Sequence, residues 1–245
     1  MSAKVGGGQL KVASTRRLSV SRSGFGSRLT SSDLALTAKA ATRLNKKLRP
    51  EAPFTAGQAI GRIVAKAQPA TIAVLPKGKL SLVPAPEILS KFRSLFVSLN
   101  PIAPAELAAG PVFTFPLIAD GSIAPDASTG EIRVGGELEF LQLSGGQVFW
   151  YEDWFDLGTG STTAETILQP SPPYAGKLGR IGILGLSPNR DAVGDPGART
   201  VTVNGQILTL TPATASSFNE LFAQGDPVFQ PGETFGTIAF QAAGQ

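Results

Sequence analysis

The sequence carries an internal echo. Residues 201–240 read VTVNGQILTLTPATASSFNELFAQGDPVFQPGETFGTIAF, and residues 34–64 read LALTAKAATRLNKKLRPEAPFTAGQAIGRIV. Set 174 positions apart, Leu34, Leu36, Thr37, Ala41 and Asn45 coincide with Leu208, Leu210, Thr211, Ala215 and Asn219. After a one-residue slip, Phe54, Gly57, Gly61 and Ile63 coincide with Phe229, Gly232, Gly236 and Ile238. Identities at glycine, phenylalanine and a capping threonine mark a repeat, and a repeat constrains the fold before any composition does.

The repeated unit has a physical reading. Leu208 and Leu210 alternate with polar residues like the end of a strand. Thr211 then stands where a helix N-cap belongs, with Pro212 at the first helical position, where a missing N–H costs nothing. Ala215, Phe218, Leu221 and Phe222 share one helical face, and Gly225 and Pro227 stop the helix. The first copy repeats this with Thr37, Ala41, Leu44 and Leu48. Each copy closes in a strand, 57–65 and 232–240. The module is strand, short helix, Gly/Pro turn and strand, a packing unit without evident chemistry.

The remaining composition narrows the function classes. The 245 residues suffice for one large or two modest domains, and 28 Gly with 19 Pro favour short strands joined by turns. Cysteine and histidine are both absent. That removes disulfides, thiolate metal sites, and the commonest general base, zinc ligand and haem ligand. Residues 1–100 hold 17 Lys/Arg against 3 Asp/Glu, while residues 101–245 hold 5 against 15. The halves could attract each other, or the basic half could face a polyanion. With four Phe and no Trp or Tyr, that half is poorly equipped to stack on bases, so no specific nucleic-acid partner is expected. The N-terminal residues lack a signal peptide's apolar core, and no run is long enough to span a bilayer. The chain is thus cytosolic or preceded by further sequence.

Residues 69–86 form a Pro-punctuated boundary, so the expected units are 1–75, basic, and 76–245, acidic. Residues 87–99 read as a helix with Ile88, Phe92, Leu95 and Leu99 on one face. Strands follow at 112–118 (near an edge because of Pro116), 131–134, 138–143, 163–168, 180–186 and 200–210. Residues 187–197 read as a loop that the first copy lacks. The one aromatic concentration is VFWYEDWFD at 148–156. Strand alternation puts Phe149, Tyr151, Asp153 and Phe155 on one face and Trp150, Glu152, Trp154 and Asp156 on the other. Rings and carboxylates on both faces fit a ligand groove or a partly exposed strand.

The order FPLIADG, STGEIRVGGELEFLQLSGGQVFW, then LTLTPATASSFNELFAQGDPVFQPGETFG resembles the HtaA-type domain of actinobacterial surface proteins. The resemblance covers roughly residues 71–242, with residues 1–68 similar to only the closing part of a preceding module. It implies a mainly β fold, antiparallel and sandwich-like with short helices, partly duplicated. It also implies location at the cell envelope or outside the cell, and haem as the ligand of the best-known members. Two departures bear on haem. Haem-binding members open with a Tyr-bearing segment that has no counterpart here, and no supporting histidine exists.

The sequence is therefore read as a non-enzymatic envelope or secreted binding module. A structural wall or adhesion repeat without a small ligand is the alternative. A glycan-active enzyme working through Glu152, Asp153 and Asp156 is the weaker one. Candidate ligand residues are Trp150, Tyr151, Trp154 and Tyr174, the tyrosines being the only phenols able to reach iron. A phenol, with a reference pKa of about 10, needs a cation to become a good ligand. Tyr151 precedes two carboxylates, whereas Tyr174 precedes Lys177 and Arg180. Haem binding is expected to be no tighter than about micromolar. Lys39, Arg43, Lys46, Lys47 and Arg49 form a candidate face for a cell-wall polymer or other polyanion. No catalytic or metal-binding residue is assigned.

Overall fold

The protein was analysed as a computed structural model, which describes residues 2–5, 8–11, 13–15, 17–169, 176–188 and 191–244. Strands account for 51% of it and helices for 14%, in keeping with a mainly β chain. Two compact units are present, Met1–Pro69 and Ala70–Gln245. The division falls a few residues before position 75, because Val74 already bridges to Gly244 within the second unit.

The first unit contains β1 (Ser2–Val5), β2 (Gly8–Lys11), β3 (Ala13–Thr15), β4 (Leu18–Ser23), β5 (Gly26–Ser31), β6 (Leu34–Leu36), helix α1 (Ala38–Leu48), β7 (Ala59–Gly61) and β8 (Val64–Ala67). β1 pairs with β2, and two three-stranded sheets run β3-β6-β7 and β4-β5-β8. Among its described residues, Leu36, Ala40 and Ala41 form a buried cluster with Leu44 and Phe54 half-buried against it, and Ala13 and Leu34 are buried as well.

The second unit opens with β9 (Ile72–Ala73), β10 (Lys79–Pro84), helix α2 (Pro86–Ser94), β11 (Val97–Ile102), β12 (Glu106–Leu107), β13 (Phe113–Pro116), β14 (Ser122–Ile123), β15 (Gly130–Arg133) and β16 (Glu137–Gln142). It continues with β17 (Gln147–Asp156), β18 (Ser161–Gln169), β19 (Gly176–Leu186), β20 (Ala192–Asp195), β21 (Thr200–Leu210), helix α3 (Pro212–Phe222) and β22 (Thr234–Ala243). The main path is β12-β13-β10-β22-β21-β19-β18-β17-β15-β14-β9, with β16 joining β11 to β17 and β20 flanking β21. The sheet curls until its last strand returns to β22, where Leu75 N–H donates to Ala243 O at 2.9 Å. The two layers of a sandwich are thus supplied by one sheet. Trp150 of β17 and Phe235 of β22 face each other across the interior with ring centroids 5.6 Å apart.

Helices α2 and α3 fill this interior. Phe92 of α2 lies 5.4 Å from both Phe140 and Phe218 and 5.1 Å from Phe229. Periodicity extends α2 to residue 99, and the structure shortens it. Phe96 turns to φ 55°, ending the helix, and Leu99 enters β11 opposite Phe140.

The two copies of the repeat match bond for bond. Thr37 and Thr211 each cap a helix, accepting from the N–H of Ala40 and Thr214 at 3.2 Å. Asn45 holds Phe54 N–H at 2.8 Å and its carbonyl at 2.9 Å; Asn219 holds Phe229 with the same two distances. Gly57 and Gly232 N–H return to Leu36 and Leu210 carbonyls at 2.9 and 2.8 Å. Strand register matches as well, Leu34 pairing Gly61 as Leu208 pairs Gly236, and Leu29 pairing Ala65 as Val203 pairs Phe240. The equivalence extends further back than the sequence suggested. β4 pairs β5 as β20 pairs β21, so the first copy does contain a hairpin in place of residues 187–197.

Two substitutions should separate the cap from the clamp. Thr211→Ala removes one helix cap and is expected to destabilise by about 0.5–2 kcal/mol. Asn219→Ala leaves both polar groups of Phe229 without their partner in a half-buried site, and should cost about 1–3 kcal/mol for each orphaned group. Urea unfolding of both variants checks the order, with Asn219→Ala expected to lose more.

Candidate functional site

The aromatic strand β17 is where the sequence placed ligand-binding residues, and its alternation breaks in the middle. Pairing to β18 shifts register between Tyr151 and Trp154, and Glu152 stands at φ 53°. This bulge places one extra residue on the strand and reverses the facing of the residues beyond it. The faces are therefore not those of an unbroken strand. Val148, Trp150, Asp153 and Phe155 point inward and are buried, while Phe149, Tyr151, Trp154 and Asp156 are half-buried on the outer side.

The consequences for the candidates differ. Trp150 is a core residue, 4.6 Å from Phe140 and stacked on Phe218 at 5.7 Å, and does not share a surface with Trp154. Trp154 is sandwiched between two guanidinium groups, Arg133 at 4.0 Å and Arg180 at 3.7 Å from its ring centroid. Carboxylates hold both cations: Glu131 lies 2.6 Å from Arg133, and Glu152 and Glu165 lie 3.3 and 3.7 Å from Arg180. Both faces of the indole are thus covered. Tyr151 sits between Glu137 on β16 and Glu165 on β18 in the strand register. An iron held there would have carboxylates on both sides. Tyr174 lies outside the described residues.

The three carboxylates considered for acid–base work also separate. Glu152 projects outward to Arg180, Asp153 is buried inward, and Asp156 accepts from Gly158 and Thr159 N–H at 2.8 and 3.0 Å to shape a turn. Among the described residues no group of three His, Cys, Asp or Glu side chains converges to hold a metal. Haem iron fares no better, since Tyr151 in its acidic setting is the one candidate ligand that is described.

Asp153 has a second property. One of its carboxylate oxygens is buried without a hydrogen-bond partner. Burial pushes its pKa up from 3.8 to about 7, against the opposing pull of Arg180. The folded state then binds a proton that the unfolded chain has released between about pH 4 and 7, so stability falls as pH rises through that window. At roughly 1.4 kcal/mol per pKa unit, the cost above pH 7 is on the order of 4 kcal/mol. Asp153→Asn should raise the denaturant midpoint at pH 8 and leave it nearly unchanged at pH 4. An equal shift at both pH values would count against this account.

A different surface, not singled out by sequence, is exposed at the end of α2. Phe96 adopts the left-handed conformation directly after the helix, a place where glycine is the usual residue. Its side chain packs into nothing that hides it: the residue is 72% exposed. Leu143, on the β16–β17 turn, is 86% exposed and donates its N–H to Phe96 O at 3.1 Å. Gln142 fixes this corner by donating to Leu95 O at 3.1 Å and Phe222 O at 2.9 Å, tying the ends of both helices together. Leu95, Phe96, Gln142, Leu143 and Ser144 line a cleft of about 320 Å³. On the other side of α2 a groove of about 410 Å³ runs between Leu89, Phe92, Leu99, Leu107 and Phe113. Helical periodicity, which runs to residue 99 in the sequence, carried no signal for this corner beyond the place of Phe96 off the Ile88, Phe92, Leu95 and Leu99 face. The four cations of α1, Lys39, Arg43, Lys46 and Lys47, and Arg49 at its C-cap are all exposed.

No family model and no curated protein matches the sequence. Solved structures do. The chain is similar to the C-terminal domain of HtaA from Corynebacterium glutamicum, with a TM-score of 0.50 and 15% identity, over 70% of this chain and 98% of that domain. Likeness to the N-terminal domain of the same protein gives a TM-score of 0.49 and 12% identity, over 70% of this chain and 99% of that one. The mainly β, curled architecture described above is therefore an HtaA-type domain fold.

Proposed function

We propose that the chain is a non-enzymatic binding module of the cell envelope, with the apolar corner at Phe96 and Leu143 as its contact surface. The observation that carries this reading is Phe96 itself. A bulky side chain in the left-handed region costs roughly 1–3 kcal/mol, and such strain concentrates where function requires it. Here the strain holds an aromatic ring out in water beside a second exposed apolar residue, above a cleft. A folding role would have put glycine at this position or buried the ring. The ligand class is apolar or flat, gripped by contact and not by ionic pairing, because Leu95, Phe96 and Leu143 dominate the lining.

Haem is the ligand that the HtaA resemblance brings forward. The described residues favour stacking over iron ligation, so hemin should bind no tighter than about micromolar, with a broad, unligated Soret band. A sharp stoichiometric spectrum abolished by Tyr151→Phe or Tyr174→Phe would overturn this. The corner itself is tested by Phe96→Gly. This substitution should stabilise the fold by about 1 kcal/mol, since glycine accepts positive φ without a Cβ penalty. It should also weaken binding of hemin or an amphipathic dye. Stabilisation without any loss of binding would remove the corner from the site.

A contact with anionic envelope polymer is a second reading, favoured by the five exposed cations on α1 and its C-cap. Adsorption to a teichoic-acid-like polyphosphate should weaken steeply between about 20 and 150 mM salt, as the Debye length shrinks toward ~8 Å. Retention that ignores salt would count against it.

A further inference from the structure

β11 and β12 follow one another in the chain and do not pair with each other. β11 pairs with β16 alone, and β12 with β13 alone. Between them the chain reverses, with Ala105 N–H donating to Ile102 O at 3.1 Å. The groove of about 410 Å³ beside α2 lies between these two strands, with Val97, Ser98 and Leu99 on one wall and Leu107, Gly110 and Pro111 on the other. The buried rings of Phe92 and Phe113 form its floor. Every wall falls within residues 89–113, in the interior of the chain.

The phase of the hydrogen bonding decides what faces this groove. Leu143 N–H donates to Phe96 O at 3.1 Å, and Ser98 stands opposite Leu141. Bonded residues alternate along an antiparallel ladder, so Ser98 and Asn100 turn their main-chain groups to β16, while Val97 and Leu99 turn theirs away. On β12, Ala108 N–H donates to Val112 O at 2.8 Å and Glu106 stands opposite Thr114, so Leu107 turns away from β13. Main-chain donors and acceptors of Val97, Leu99 and Leu107 thus bound the groove from both sides with no strand between them. Pro101, lacking an N–H, ends the run. Arg93 of α2 also lines the groove and is exposed. Among the described residues it has no carboxylate partner, although residues 70–245 hold 16 Asp/Glu against 9 Lys/Arg.

We propose that this groove binds an extended acidic–apolar peptide segment of a partner protein, added as a strand to β11. Main-chain groups on both walls are matched by another main chain, which carries donors and acceptors at the same spacing. A lipid chain or a flat apolar ligand would cover the floor and leave those groups unmatched. Phe92 and Phe113 take apolar side chains from alternate residues of the segment, which point to one face. Arg93 takes a carboxylate, and an exposed cation of this kind sets the orientation of the incoming segment. The groove lies across α2 from the corner at Phe96 and does not depend on it.

The test uses the fluorescent peptide Val-Thr-Val-Thr-Val-Thr-Glu, titrated into the full chain at physiological salt and followed by anisotropy. A second peptide of the same sequence is N-methylated at every amide, which keeps its side chains and removes its main-chain donors. Saturable binding is expected for the first, weakened at least ~10-fold by N-methylation and as much by Arg93→Glu, an exposed position where folding should survive. Lys77→Glu, at an exposed cation outside the groove, should leave binding unchanged. Hydrogen exchange at the N–H groups of Val97, Leu99 and Leu107 should slow when the peptide is bound. Absence of binding at millimolar peptide, equal binding of the methylated peptide, or indifference to Arg93→Glu overturns the proposal. So does uptake of dodecanoate that Arg93→Glu abolishes, without peptide binding, because the occupant would then be a lipid.

Discussion

The aromatic cluster at the centre of the second unit is the interaction on which its architecture depends. Phe92, Phe140, Trp150, Phe218, Phe222, Phe229 and Phe235 come from two helices, the sheet's two facing layers and one turn. The rings fill the space between the helices and the two facing layers. Pairs at 4.6–6.4 Å in tilted, edge-on and, for Trp150 and Phe218, stacked arrangements add roughly 0.5–1.5 kcal/mol each beyond their burial. The curled sheet gives the cluster a closed wall, and the cluster keeps that wall from flattening. In the first unit Leu44, Leu48 and Ile60 stand in place of Phe218, Phe222 and Phe235, and of the matched rings Phe54 is kept, packed half-buried on Leu36, Ala40 and Ala41.

Much of this was legible in the sequence because it is written in local chemistry. Thr37 and Thr211 announce their helices, and Asn45 and Asn219 were visible as matched positions, although their role in clasping Phe54 and Phe229 was not. Strand positions followed from alternation wherever one face was buried. The failures share a cause: a single residue in an unusual conformation changes the phase of everything after it. Glu152 does this on β17, and Phe96 does it at the end of α2. Neither residue type favours positive φ, so no propensity could signal the change, and only tertiary pairing imposes it. The missed hairpin in the first copy is different. Its residues diverged while the backbone pairing stayed, and ladder hydrogen bonds do not depend on side-chain identity.

The fate of the acidic aromatic strand shows how a site-like composition can be consumed by structure. Trp154 looks like a ligand platform until Arg133 and Arg180 close over it, and both cations are then held by Glu131, Glu152 and Glu165. Alternating charge around one ring makes a self-satisfied stack on the outer face, which leaves little for a ligand to take. The bulge also sends Asp153 inward, where it remains as a polar defect in a dry wall. Exposed apolar groups at Phe96 and Leu143 are the opposite case, being side chains that the fold leaves unsatisfied in water.

The bridge between Val74 and Gly244 has an evolutionary corollary. The second unit is entered and left at one seam of its sheet. A module with adjoining ends can be inserted into a longer polypeptide, copied in tandem or removed without tearing its neighbours, because the host chain needs to open by only one strand width. Geometry at a single bridge thus makes the second unit a bead that can be threaded into a chain at one point.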